Sequence, residues 1–273
     1  MNLADPVVAL RWTVAIAALA SLVAAMELIA VAMWHRNGVF WRCCQAVMTE
    51  REGTGPLAKR MNAYREPATR IVLVVYAVAA GATLLLVFSG ARYQEALLVL
   101  TAVSLAVSYW RVVGGDGATQ MTLIVLTACS LGALLGGGET GGARSVLWFV
   151  GLQGILAYFV SGVAKLVSSE WRNEDVVSKI ASTVCYGHDA AARVLESVPG
   201  LGRIMTLSVI GFEIAMPFAL VFPVQVTVAF LAVALFFHIG CAFVMGLNDF
   251  VWAFAATFPG ILFLSNTINT SLW

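Results

Sequence analysis

Glu27, Lys165, Glu213 and His238 are ionisable side chains that stand inside apolar runs of this chain. Charge in a hydrocarbon layer is expensive, so such residues turn inward, pair with one another and mark candidate sites. Lys165, Glu213 and His238 are the candidate catalytic residues. A desolvated lysine is a candidate base, a neighbouring carboxylate holds it in place, and an imidazole relays protons or orients a substrate oxygen. Together they suit acid–base chemistry on an apolar ligand. Each also has a plainer reading. Lys165, about one turn from the end of its run, can snorkel to the interface. Glu213 can serve only to neutralise it, and His238 can serve only as a helix–helix hydrogen-bond group.

The element that must position Lys165 is the run over 146–167, long enough to cross a bilayer. Gln153, Tyr158, Ser161 and Lys165 follow one another at three to five residues, which puts a polar stripe on roughly one side of a helix. Gln153 and Tyr158 are candidate ligand-binding residues on that stripe. Gly151, Gly154 and Gly162 are small enough to let neighbouring helices approach.

The chain as a whole fits such a helix. It has 273 residues, 60% hydrophobic and 11% charged, against about 25% charged in soluble domains. The expected fold is all-α: one polytopic membrane bundle over 1–273. The lipid bilayer is then the first partner, and a net charge of +1 speaks against nucleic acid. The five cysteines form no CxxC, and Cys43 and Cys44 are adjacent, so neither a redox pair nor a metal site is expected. Only His238 lies deep, whereas haem needs two opposed histidines. The first apolar run lacks a basic start and is too long for a signal peptide, so it stays as a span.

About eight spans are expected, over 7–34, 71–89, 96–113, 121–135, 146–167, 204–222, 224–245 and 250–264. Pro223 marks a tight turn between the sixth and seventh, making them antiparallel neighbours, and Pro259 is positioned to kink the eighth. Two polar segments remain. Residues 35–70 form a basic loop, with seven Lys and Arg against three Glu. Residues 168–203 alternate apolar and polar and are expected to lie on the bundle as short amphipathic helices. Leaving out Lys165, twelve Lys and Arg fall in the odd-numbered loops and three on the other side. The positive-inside rule then makes the odd loops cytoplasmic and both termini external.

The order of motifs adds a resemblance. GGDG (114–117), YFVSGVAKLVSSEW (158–171), Glu213 with Pro217, and HIGCAFVMGLNDF (238–250) together resemble the HTTM (horizontally transferred transmembrane) family. That family includes the membrane part of vitamin K-dependent γ-carboxylase. Tyr158, Gly162, Lys165, Leu166, Glu170 and Trp171 match its pattern of an aromatic residue, Gly, Lys-Leu, an acidic residue and Trp. The resemblance covers about 70–264. It implies that Lys165 is the base, tuned by Glu213 and His238, and that Asp116 and Trp171 join the ligand-binding set. It also implies a quinol cofactor or substrate of the vitamin K kind. The chain departs from the carboxylase in showing no counterpart of the large luminal domain that binds the protein substrate, so peptide carboxylation itself is not expected. In the carboxylase the motif Lys faces the lumen, whereas the charge count puts Lys165 at the cytoplasmic end; both orientations stay open.

Three functions are compatible with these residues. The first is an enzyme using a Lys base on a quinol or another lipid-soluble small molecule. The second is a non-catalytic partner of another membrane or secreted protein, assisting secreted-peptide maturation or export. The third is a transporter, although no inverted repeat is evident. The expected location is a bacterial cytoplasmic membrane.

Overall fold

A computed structural model describes residues 5–34, 67–89, 93–110, 117–136, 140–183 and 186–272. The described chain is helical throughout, with no strand. In order it forms α1 (Pro6–Trp34), α2 (Pro67–Leu86), α3 (Gln94–Trp110), α4 (Gly117–Gly136) and α5 (Thr140–Val167). Then come three short helices, α6 (Ser169–Asn173), α7 (Val176–Ala181) and α8 (Asp189–Ser197). The chain closes with α9 (Leu201–Ala215), a 3-10 turn (Met216–Leu220), α10 (Val224–Met245), α11 (Asn248–Ala255) and α12 (Phe258–Leu272).

Six stretches among the described residues are long and apolar enough to cross a membrane: Pro6–Ala30, Gly117–Gly136, Thr140–Val167, Leu201–Leu220, Val224–Met245 and Asn248–Thr270. The second and third expected spans form shorter apolar helices, Arg70–Leu86 and Gln94–Tyr109. The protein is thus an all-α polytopic bundle. Its outer surface agrees: Leu135, Phe236 and Phe243 are almost fully exposed, a state that suits acyl chains and not water. Most of the basic loop over 35–70 lies outside the described residues, as does Asp116.

Two helices form the centre. α1 is buried through its alanines, including Ala17, Ala18 and Ala25, and these small side chains let α2, α4, α5, α11 and α12 close around it. α5 is the second hub, and its glycines set its contacts. A Cβ on Gly151 would stand 2.7 Å from the Gly260 carbonyl oxygen, and one on Gly154 would stand 2.7 Å from Thr257 Oγ1, so both admit the last span. Gly162 admits α9 in the same way. Hydroxyl pairs add directional links between helices: Thr101 with Ser130 at 2.7 Å, and Thr227 with Ser265 at 2.7 Å. Such links average about 0.6 kcal/mol in membrane proteins.

The prolines act through their missing N–H. Pro217 cannot donate to the carbonyl of Glu213; the Met216 N–H takes that carbonyl instead, and the α-helix tightens into the 3-10 turn. Near Pro259 the last span is interrupted for two residues, Ala256 and Thr257. α11 stops at Ala255 and α12 begins at Phe258, placing Pro259 in a first turn where no N–H is needed. Gly246, at φ +71°, ends α10, and the Gly246 and Leu247 N–H groups close onto Ala242 and Cys241. This cap turns the chain so that α11 lies back against α10.

The segment 168–203 folds as α6, α7 and α8 at the foot of α5 and α9. Asp175 caps α7, accepting from the Ser178 N–H at 3.0 Å, and a side chain on Gly202 would run into Asp175 and Ser178. α8 buries none of its residues.

Candidate functional site

Tyr158, Ser161 and Lys165 recur at i, i+3 and i+7 on α5, one face of the helix. Gly162 lies beside them and brings α9 onto that face. A Cβ there would sit 2.8 Å from the backbone nitrogen of Ile214 and 2.9 Å from the Cβ of Glu213. Glu213 occupies the last α-turn of α9, where Pro217 ends it, and its carboxylate reaches Lys165.

Lys165 Nζ donates to Glu213 Oε1 at 2.8 Å and Oε2 at 2.7 Å, and to Ser161 Oγ at 2.5 Å. Ser161 Oγ in turn donates to Glu213 Oε1 at 3.2 Å. All three ammonium protons therefore have acceptors inside the protein. The side chains are 18% and 5% exposed, so the pair is largely desolvated, and its cost is offset by the two-oxygen contact and the hydroxyl. The Trp171 ring covers the ammonium at 5.2 Å. α6 carries Trp171 there. Arg203, at the start of α9, donates to the carbonyls of Trp171, Arg172 and Glu174 and ties α6 down.

Seven residues earlier on α5, roughly 10 Å along the axis, Tyr158 meets α10. Its hydroxyl hydrogen-bonds His238 Nε2 at 2.7 Å, and the two residues are only 2% and 3% exposed. Aromatic rings enclose them. Phe254 stacks on the imidazole at 4.5 Å, Phe250 and Phe237 flank it at 6.1 and 5.1 Å, and Phe212 stands edge-on to Tyr158 at 5.9 Å. His238 Nδ1 is buried and has no hydrogen-bond partner among the described residues. If Tyr158 donates to Nε2, Nδ1 carries an orphaned proton. If Tyr158 accepts, Nδ1 holds an orphaned lone pair. An unmet buried polar atom costs about 1–3 kcal/mol.

The structure thus brings Lys165 to Glu213 and Tyr158 to His238. No hydrogen bond among the described residues joins the two pairs. They are neighbours through α5 and through Phe212 and Glu213, consecutive on α9, which pack on Tyr158 and Lys165 respectively. Gln153 does not join them. It lies about 120–140° around α5 from Tyr158 and Lys165, partly exposed and without a hydrogen bond among the described residues. Glu27 also stands apart, accepting from Asn248 Nδ2 at 2.8 Å. The sequence reading missed Phe212, Phe250 and Phe254, and Arg203. Phe212 carried a signal in its adjacency to Glu213, and Phe250 with Phe254 in their i, i+4 spacing just past the Gly246 cap. Arg203 acts across about thirty residues and carried none.

Compared with protein families, curated proteins and solved structures, the chain matches none.

Proposed function

We propose that this chain is a membrane-embedded enzyme, in a bacterial cytoplasmic membrane, acting on a lipid-soluble ligand of the quinol kind. The observation that carries the reading is His238 Nδ1: a buried ring nitrogen without a partner among the described residues, in an aromatic enclosure beside a desolvated Lys–Glu pair. A flat ring bearing a hydroxyl or carbonyl group suits stacking with these rings and a hydrogen bond at that atom. The order of motifs that resembles the HTTM family points to the same ligand class. A quinol supplies two hydroxyl protons and two electrons when bound.

The chain's own groups handle protons in a defined order. Lys165 donates to three oxygens in the contact described, so it can take a substrate proton only after giving one of its own to Glu213. Either Tyr158 or His238 Nε2 donates in their 2.7 Å contact, so a hydrogen bond made at Nδ1 fixes the imidazole tautomer and with it which of them donates.

One observation favours a second reading, a non-catalytic membrane partner. Lys165 has no free donor left, as expected of a purely structural ion pair. The separating experiment is to purify the chain from membranes and analyse what travels with it. The enzymatic reading expects an isoprenoid quinone near one per chain, lost in His238→Phe and Lys165→Met. A quinone-free protein holding a stoichiometric second polypeptide supports the partner reading and removes the first.

A further inference from the structure

We infer that the ligand reaches the site sideways from the bilayer, between α9 and α10, and that its occupant there is a membrane lipid with a polar ring and an apolar tail. This rests on the ligand reading above and adds the route and the residues that gate it. α9 and α10 are consecutive, yet beyond the turn joining them their backbones do not pack closely; α10 packs instead on the 3-10 turn, α11 and α12. Phenylalanines fill the gap. Phe212 faces Phe230 and Phe237, each pair at 6.4 Å between centroids, and all three are partly exposed. Behind them lie Tyr158 and His238, which Phe212 and Phe237 touch. The gap therefore leads from a lipid-facing surface to the unpartnered His238 Nδ1. Flat rings separated this way swing aside without breaking a hydrogen bond. The aqueous end is built differently. Trp171 sits over the ammonium, and its helix is tied down by Arg203. Opening there breaks several polar contacts. A tail left in the gap would lie along α10, whose outer face already carries exposed Val228, Val233 and Phe236.

The test uses a native reporter. Cys241 is one turn past His238 on α10 and partly buried. In full-length protein with Cys43, Cys44, Cys129 and Cys185 changed to Ala, reconstituted in bilayer discs, Cys241 is labelled with an apolar maleimide and a charged one of similar size. The expected result is several-fold faster labelling by the apolar reagent. That rate should rise further in Phe212→Ala and Phe237→Ala and fall in Phe212→Trp and Phe237→Trp. Apolar labelling indifferent to both positions, or faster labelling by the charged reagent, overturns the route. No quinone is present in this assay, so failure of the route and failure of the quinone analysis are separate results.

Discussion

Gly162 of α5 and Glu213 of α9 touch so closely that a single added carbon between them would stand 2.9 Å from the Glu213 Cβ. The contact is what lets a carboxylate on one helix take two protons of an ammonium on another. The ion pair and the edge-on Phe212–Tyr158 contact, both between α5 and α9, depend on this spacing.

Gly162→Ala should therefore be costly despite its size. The added carbon meets backbone at Ile214 as well as Glu213, so α9 must shift. Overpacking of this kind costs about 1–3 kcal/mol. Thermal unfolding in detergent should show a lowered midpoint, whereas Gly211→Ala, with nothing within 4 Å of the added carbon, should leave it nearly unchanged. Equal midpoints for the two variants would mean that the helices are not in contact at Gly162.

Lys165 and Glu213 should couple strongly. Removing either partner strands a largely desolvated charge, a loss of about 3–5 kcal/mol for fully buried pairs and less here because Lys165 keeps some exposure. Lys165→Met with Glu213→Gln should be more stable than the single variants sum to. Additive losses in chemical denaturation would show that the pair is solvated.

Tyr158→Phe tests the deeper pair. It removes one hydroxyl and leaves His238 Nε2 unpaired, for an expected loss of about 1–3 kcal/mol. Ser108→Ala, whose hydroxyl donates only to the Leu105 carbonyl of its own helix at 2.8 Å, should cost far less. A Tyr158→Phe protein as stable as the parent would contradict the hydrogen bond.

Arg203→Gln should free α6 without disturbing the ion pair. The three carbonyls it holds belong to Trp171, Arg172 and Glu174, so amide hydrogen exchange should quicken over 169–174 and stay slow in α5. Unchanged exchange in α6 would show that Arg203 is not its anchor.

What the sequence made legible was local. The polar stripe and small residues of α5 follow from helical periodicity, so Tyr158, Ser161, Lys165 and Gly162 could be placed on neighbouring faces before any contact was known. The same reading put Gln153 on the stripe, but at 100° per residue it stands about 120–140° around α5 from Tyr158 and Lys165. Hydropathy marked eight apolar runs but not their lengths as helices: α2 begins four residues before its run, and α4, at Gly117–Gly136, extends past both ends of the run over 121–135. Pro259 signalled an interruption, which lies at Ala256 and Thr257, where the Thr257 N–H and hydroxyl both donate to the Phe254 carbonyl. Partners distant in sequence were not legible. Nothing local to Trp171 says that it covers Lys165, and nothing local to Phe254 says that it stacks on His238. Both positions follow from how the chain turns after Val167 and after Met245.

The central claim is that His238 presents an open nitrogen to a ligand, and nitrogen NMR of labelled histidine tests it most directly. The chain has three histidines, so variants at His35 and His188 assign the signals of His238. Added isoprenoid quinone should shift the Nδ1 resonance of His238 strongly and Nε2 weakly, since Nε2 already bonds Tyr158 at 2.7 Å. An Nδ1 resonance that stays fixed at saturating quinone, in protein whose Nε2 signal shows the Tyr158 bond intact, would contradict the account.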